Sequence, residues 1–208
     1  MNRPAPTLTG KRVRLRQAQE SDVVPRLRWR LDEEVQRYDG RPMPRTITEV
    51  EAITANFLAS YRRHGFNPPA SERVLYMITI PRAAGAPELE WNTDAPGRVN
   101  DRPIGMISYF GFTADEREVQ LGILIGEKDC WGKGYASDAV WTVLGELFGA
   151  TGLQRVTAET RADNQAAVRL FEHCGFREAG RATKRAQDGE HLWLTMELVR
   201  SEFLGQGE

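Results

Sequence analysis

Apolar and polar positions alternate with two periods along this chain, and the switches between them mark its elements. In "KRVRLRQA", Val13 and Leu15 face one way and Arg12, Arg14 and Arg16 the other, which predicts a half-buried strand with a solvated arginine face. "ESDVVPRLRWRLDEEVQRY" opens on capping chemistry at Ser21 or Asp22 and predicts a short, broken helix. "TITEVEAITANFLASYRRHG" is a stronger helix, with Val50, Ile53, Phe57, Leu58 and Tyr61 in one stripe and Gly65 as its stop. "RVLYMITI", "IGMISYFGF" and "EVQLGILIG" read as strands. Residues 81–103, rich in Pro, Gly and acidic side chains, predict an exposed loop, and "TADERE" a tight polar connection.

Beyond the turn "CWGKGYASDAV", Val140, Val143, Leu144, Leu147 and Phe148 fall at helical spacing. "LQRVTAETRA" is a strand, and "DNQAAVRLFEHCGF" a helix capped by Asp163 or Asn164 and ended by Gly175. "REAGRATKRA" and "EHLWLTMELV" are the last two strands, joined at "QDG". The order predicts an α/β (α+β) class: one domain over residues 1–208, with a single mixed sheet of seven strands flanked by about four helices.

Composition narrows the function. With 208 residues and a formal charge of −1, the chain has no global basic field for nucleic acid or a membrane surface. "MNRPAPTLTG" lacks the apolar segment of a secretory signal, and no run is long enough to span a bilayer. Only Cys130 and Cys174 are present, so a disulfide framework is not expected and a reducing, cytoplasmic location is. His64, His173 and His191 show no metal-ligand spacing, so no metal site is expected.

The candidate chemistry centres on the glycine turn. A Walker A loop requires a hydroxyl after its lysine, but Gly134 follows Lys133, and Glu127 stands where the first glycine belongs. A dinucleotide fingerprint needs a third glycine where Ser137 lies. What remains is a strand, a short turn, and backbone N–H groups at a helix N-terminus, a setting that binds an anion or serves simply as a strand–helix turn.

"W-G-K-G-Y-A", followed by "A-D-N-Q-A-A-V-R-L-F-E-H-C-G-F", resembles the GNAT superfamily of acetyl-CoA-dependent N-acetyltransferases, and within it the RimJ/RimL-type branch. The opening strand and "Glu34-Val35-Gln36-Arg37-Tyr38" extend the resemblance over nearly the whole chain. Of the superfamily pattern [QR]-x-x-G-x-[GA], Gly134 and Ala136 match, and Trp131 replaces the Gln or Arg. The resemblance implies a mainly antiparallel sheet, splayed between its fourth and fifth strands to admit the pantetheine arm of acetyl-CoA. Backbone groups of Ile123, Leu124 and Ile125 would bind that arm. Trp131, Gly132, Lys133, Gly134, Tyr135, Ala136 and Ser137 would hold the pyrophosphate, with Asn164 and Phe171 alongside.

For catalysis, many relatives carry a glutamate where this chain has Gln120, which leaves Glu118 as the first candidate base and Glu159 as the second. The tyrosine that protonates the departing thiolate in many relatives corresponds to Phe171, and Ser137 is the candidate substitute. The expected activity is acetyl transfer to a primary amine, on a protein N-terminus or a small molecule, by a monomer or homodimer. An acetyl-CoA sensor or scaffold without turnover is the alternative.

Overall fold

A computed structural model describes residues 7–64, 73–81, 101–113, 117–150, 152–186 and 188–204. Its strands are β1 (Leu8–Thr9), β2 (Arg14–Gln17), β3 (Arg73–Pro81), β4 (Asp101–Phe110), β5 (Glu118–Ile125), β6 (Arg155–Arg161), β7 (Arg177–Ala186) and β8 (Gly189–Val199). The helices are α1 (Val23–Leu31), α2 (Glu33–Gln36), α3 (Ile47–His64), α4 (Tyr135–Ala150), α5 (Gln165–His173) and α6 (Arg200–Leu204). The eight strands form one sheet in the order β1-β2-β3-β4-β5-β6-β8-β7. Among the described residues only β5 and β6 pair in parallel. That pairing requires a crossover, and α4 supplies it.

The mixed, mainly antiparallel sheet agrees with the sequence, with eight described strands in place of seven. The added strand, Leu8–Thr9, is too short for alternation to reveal and folds back on β2 through a turn closed by Gly10 N–H donating to the Val13 carbonyl at 2.9 Å. The count of about four helices rises to six because α2 and α6 are short. Asp32 ends α1 and starts α2, its Oδ1 accepting from the N–H groups of Glu34 and Val35 at 3.0 and 3.2 Å. The expected 81–103 loop is shorter at both ends, since Pro81 pairs with Asp101 and Thr79 with Pro103 across β3 and β4. Residues 82–100, Gly65, residues 114–116 of "TADERE" and Gln187 of "QDG" lie outside the described residues.

Strand alternation sends side chains into two cores. On one face Val119, Leu121, Val156 and Ala158 pack with the α4 stripe of Val140, Val143, Leu144, Leu147 and Phe148, all buried. On the other, Trp29, Val23 and Val35 pack on Met77, with Phe57, Leu58 and Leu124 at the edge. The arginine face of β2 is not left to solvent. Arg14 binds Asp101 at 2.9 Å, Arg16 binds Asp22 at 2.7 and 2.8 Å, and Arg12 donates to the Lys133 carbonyl at 2.7 Å. Each partner comes from a different element, so alternation alone could not show them.

Candidate functional site

The site begins where two strands part. β5 and β6 pair from Glu118↔Arg155 to Leu121↔Ala158, and there the pairing stops, although β5 continues to Ile125 alongside β4. This is the expected splay, which the extra N-terminal strand renumbers as β5–β6. Gly126 N–H donates to the Ile104 carbonyl at 2.9 Å, so by ladder parity the backbone of Leu124 faces β4 and those of Ile123 and Ile125 face the gap. A contact of 3.4 Å from the Thr157 hydroxyl to the Val119 carbonyl confirms the direction. Leu124 is therefore set apart from its neighbours, its N–H and C=O being committed to the ladder with Met106.

The chain then turns through Lys128–Cys130 into the glycine loop. Gly132 and Gly134 take φ of 70° and 78°, the left-handed region that costs a residue with a Cβ about 1–2 kcal/mol. The Trp131 indole N–H donates to the Ile125 carbonyl at 2.9 Å. The Ser137 hydroxyl donates to the Gly134 carbonyl at 3.0 Å, so it does not act as an accepting cap. Asp138 holds the loop from behind, its carboxylate accepting from the N–H groups of Lys11, Arg12 and Val13 at 3.0, 2.6 and 3.0 Å. Sequence reasoning missed this contact, because an acid in a first helical turn signals only the helix dipole.

The same turn is fastened on its other side. Glu127 accepts from the Trp29 indole and from Arg102, each at 2.8 Å, and from Arg28. A Cβ on Gly126 would fall 2.1 Å from the Trp29 ring, so glycine is needed there for close approach. Lys128 bridges Asp32 and Glu34 at 2.8 and 3.1 Å, which raises the pKa of Lys128 and lowers that of Asp32.

These elements enclose a cavity of about 560 Å³. Its walls are Ile123–Ile125 of β5, Cys130, Trp131, Gly132 and Gly134 of the turn, and Tyr135, Ala136 and Ser137 of α4. α5 and its cap add Asn164, Ala166, Ala167, Arg169 and Leu170, and Glu34, Val35, Arg37 and Tyr38 close it from the α2 side. Ten of the twelve residues expected at the cofactor thus meet around one space. Asn164 Oδ1 caps α5 by accepting from Ala167 N–H at 3.2 Å, which leaves its amide nitrogen as the donor. The sequence tied Glu34–Tyr38 to the family resemblance but not to the cofactor residues, because nothing local joins them to the glycine loop.

Lys133 and Phe171 do not line the cavity. The Lys133 side chain is exposed, and its carbonyl is what the fold uses. Phe171 is 3% exposed and packs against Phe176, ring centroids 5.3 Å apart, so it belongs to the core. Both cysteines are buried free thiols, and burial pushes the Cys174 pKa up to about 12.

The candidate bases separate as well. Glu118 starts β5, ~17 Å of strand from the cavity residues, and is bound to Arg155 at 2.6 Å. Gln120 and Thr157 are Cα partners on the sheet face opposite α4. One step further along that face, Gly122 and Glu159 would stand opposite each other across the parted strands. A Cβ on Gly122 would meet Phe110 at 3.6 Å and Ser108 at 3.7 Å, ordinary contact distances. Glu159 is held by Lys184 at 2.6 Å. Nearby, Arg161 is 6% exposed and is bound by Asp163 at 2.7 Å and Asp188 at 2.8 Å, and its guanidinium lies 5.4 Å from the Tyr38 ring centre. Arg161, and after it His191, hold the Asp188 carboxyl down to about 2.

No helix among the described residues is long and apolar enough to cross a membrane, and no group of three or more His, Cys, Asp or Glu among them could hold a metal ion. The family model for the acetyltransferase (GNAT) domain matches residues 12–177. A Bacillus subtilis protein described as an uncharacterized N-acetyltransferase, YoaA, is 25% identical over 176 residues, covering 84% of this chain and 85% of its own. A GNAT-family acetyltransferase structure from Bacillus anthracis superposes with a TM-score of 0.71 at 16% identity, covering 95% of this chain and all of that one. Spermidine N-acetyltransferase from Vibrio cholerae, in complex with CoA and spermine, superposes with a TM-score of 0.69 at 17% identity over 93% and 98% of the two chains. The chain belongs to the GNAT acetyltransferase family.

Proposed function

We propose that this protein is a cytoplasmic, single-domain N-acetyltransferase that moves the acetyl group of acetyl-CoA to a primary amine by direct attack in a ternary complex. The observation that carries the reading is the unpaired edge of β5 running into a glycine loop at a helix N-terminus. Backbone N–H groups at 132–137 and the α4 dipole suit a pyrophosphate, and the backbones of Ile123 and Ile125 suit an amide-bearing arm laid in the gap as a further strand. The Asn164 amide nitrogen faces the same arm as a donor. Acetyl-CoA supplies an activated acyl group whose carbonyl is open to an amine.

Of the chain's own groups, Glu159 suits the role of accepting the amine's proton better than Glu118, because it follows directly where β5 and β6 part, whereas Glu118 lies at the paired start of β5. Ser137 lines the cavity, and its hydroxyl, once released from the Gly134 carbonyl, is the candidate for returning a proton to the thiolate. The acceptor is a protein N-terminus, in keeping with the RimJ/RimL-like motifs, or a small polyamine or aminoglycoside. A second reading, an acetyl-CoA sensor without turnover, is favoured by Gln120 in place of a carboxylate and by the burial of Phe171, which carries no hydroxyl.

Thermal shifts test the donor: acetyl-CoA should raise Tm, whereas ATP and NAD should not. A shift with ATP alone would sink both readings. Labelled acetyl-CoA offered with peptides of different N-terminal residues, polyamines and aminoglycosides then separates enzyme from sensor, since a sensor labels none of them.

A further inference from the structure

We propose that Trp131 is a positioning residue for the acyl donor, its indole N–H closing one backbone carbonyl of β5 and so deciding which groups of the strand edge the donor's arm can use. This inference rests on the acetyl-CoA reading. Along the gap, β5 presents in order the N–H and C=O of Ile123 and the N–H and C=O of Ile125. The last of these is bound by the Trp131 indole at 2.9 Å, so the edge offers donor, acceptor, donor, and then stops. Such a set matches an arm carrying amide carbonyls on either side of an amide N–H.

The placement of the ring supports this role. Trp131 is 40% exposed and lines the cavity, whereas Trp29, a packing tryptophan, is 2% exposed. Indole has one polar atom, a donor, and here it is directed at the strand and not at the loop that would hold the phosphates. Replacing Trp131 by Phe keeps an aromatic ring and reopens the Ile125 carbonyl. Gln keeps a donor of similar reach and loses the ring.

The experiment compares full-length wild type, Trp131→Phe and Trp131→Gln in calorimetric titrations with CoA and with 3′,5′-ADP, which carries the nucleotide end and no arm. In Trp131→Phe the Kd for CoA should rise about five- to tenfold, the cost of burying the reopened Ile125 carbonyl unpaired under the arm, while that for 3′,5′-ADP stays within about twofold. Trp131→Gln should lie between wild type and Phe. Tryptophan emission should respond to CoA in wild type and lose that response in both variants. Equal weakening toward both ligands would make Trp131 a general support of the loop, and unchanged CoA affinity in Trp131→Phe would make the hydrogen bond irrelevant; either overturns the proposal alone. Failure of wild type to bind CoA overturns the acetyl-CoA reading with it. If Trp131→Phe does not fold, Trp131→Gln against Trp131→Leu carries the same comparison.

Discussion

At the loop end of the cavity the polar groups offered by its walls are mostly backbone: those of Gly132, Gly134 and the α4 N-terminus, and the Ile123 and Ile125 edge. Beyond the cavity, on the sheet face where β5 and β6 have parted, they are side chains, with Glu159 delivered by β6 and its partner Lys184 by β7, while Tyr38 joins the cavity wall from the segment after α2. A backbone site depends on dihedral angles and helix placement, so it tolerates many side chains but few losses of glycine. A side-chain site depends on identity, and one substitution removes its chemistry while leaving the fold intact.

The contrast is sharpest at Gly134. With φ of 78° and Arg12 only 3.4 Å from a would-be Cβ, Gly134→Val should cut acetyl-CoA affinity by about a hundredfold or more, measured by calorimetry. Retained affinity would break the backbone account of this end. At the other end, Glu159→Gln should lower kcat/KM by about a hundredfold with acetyl-CoA affinity unchanged, while Glu118→Gln stays within about twofold. The reverse ranking would return the base to the far end of β5.

Asp138 links the two kinds of site, since a side chain holds the backbone loop in place. Asp138→Ala should lower unfolding free energy by about 2 kcal/mol, read by denaturant titration, and weaken acetyl-CoA binding with it. The smallest effect belongs to Asp188. Its folded pKa of about 2 lies below the unfolded value of about 3.9, so its contribution is present above about pH 4 and is lost as pH falls toward 2. Asp188→Asn should flatten that portion of the stability–pH curve by removing the small contribution present at neutral pH, so that wild type and variant converge only as pH falls toward 2.

The same division decides what could be read from the sequence. The glycine loop, the α4 stripe and the Asn164 cap are local patterns, and the folded chain carries them where expected. The Trp131 bond to Ile125 spans six residues but needs the turn to fold back on its own strand, which no periodicity encodes. Glu118 illustrates the opposite case: its place on one face of β5 is readable, but its distance from the cavity depends on where β5 and β6 part. The ties from Arg12 and Asp138 join residues more than 120 apart in sequence, beyond any local signal.

Glu127 and Lys128 fasten the glycine loop to residues 28–34, while Gly40, beyond α2, lies where an added Cβ would meet Ala186 at 3.6 Å and Trp193 at 4.0 Å, toward the turn end of the β7–β8 hairpin. Evolution toward a new acceptor is therefore channelled. On the proposed reading, changes around Gly40 and the hairpin would reshape an amine pocket there independently, but changes at Arg28, Trp29, Asp32 or Glu34 would alter the fastening of the glycine loop at the same stroke. Diversity in what this scaffold acetylates should accumulate on the hairpin side.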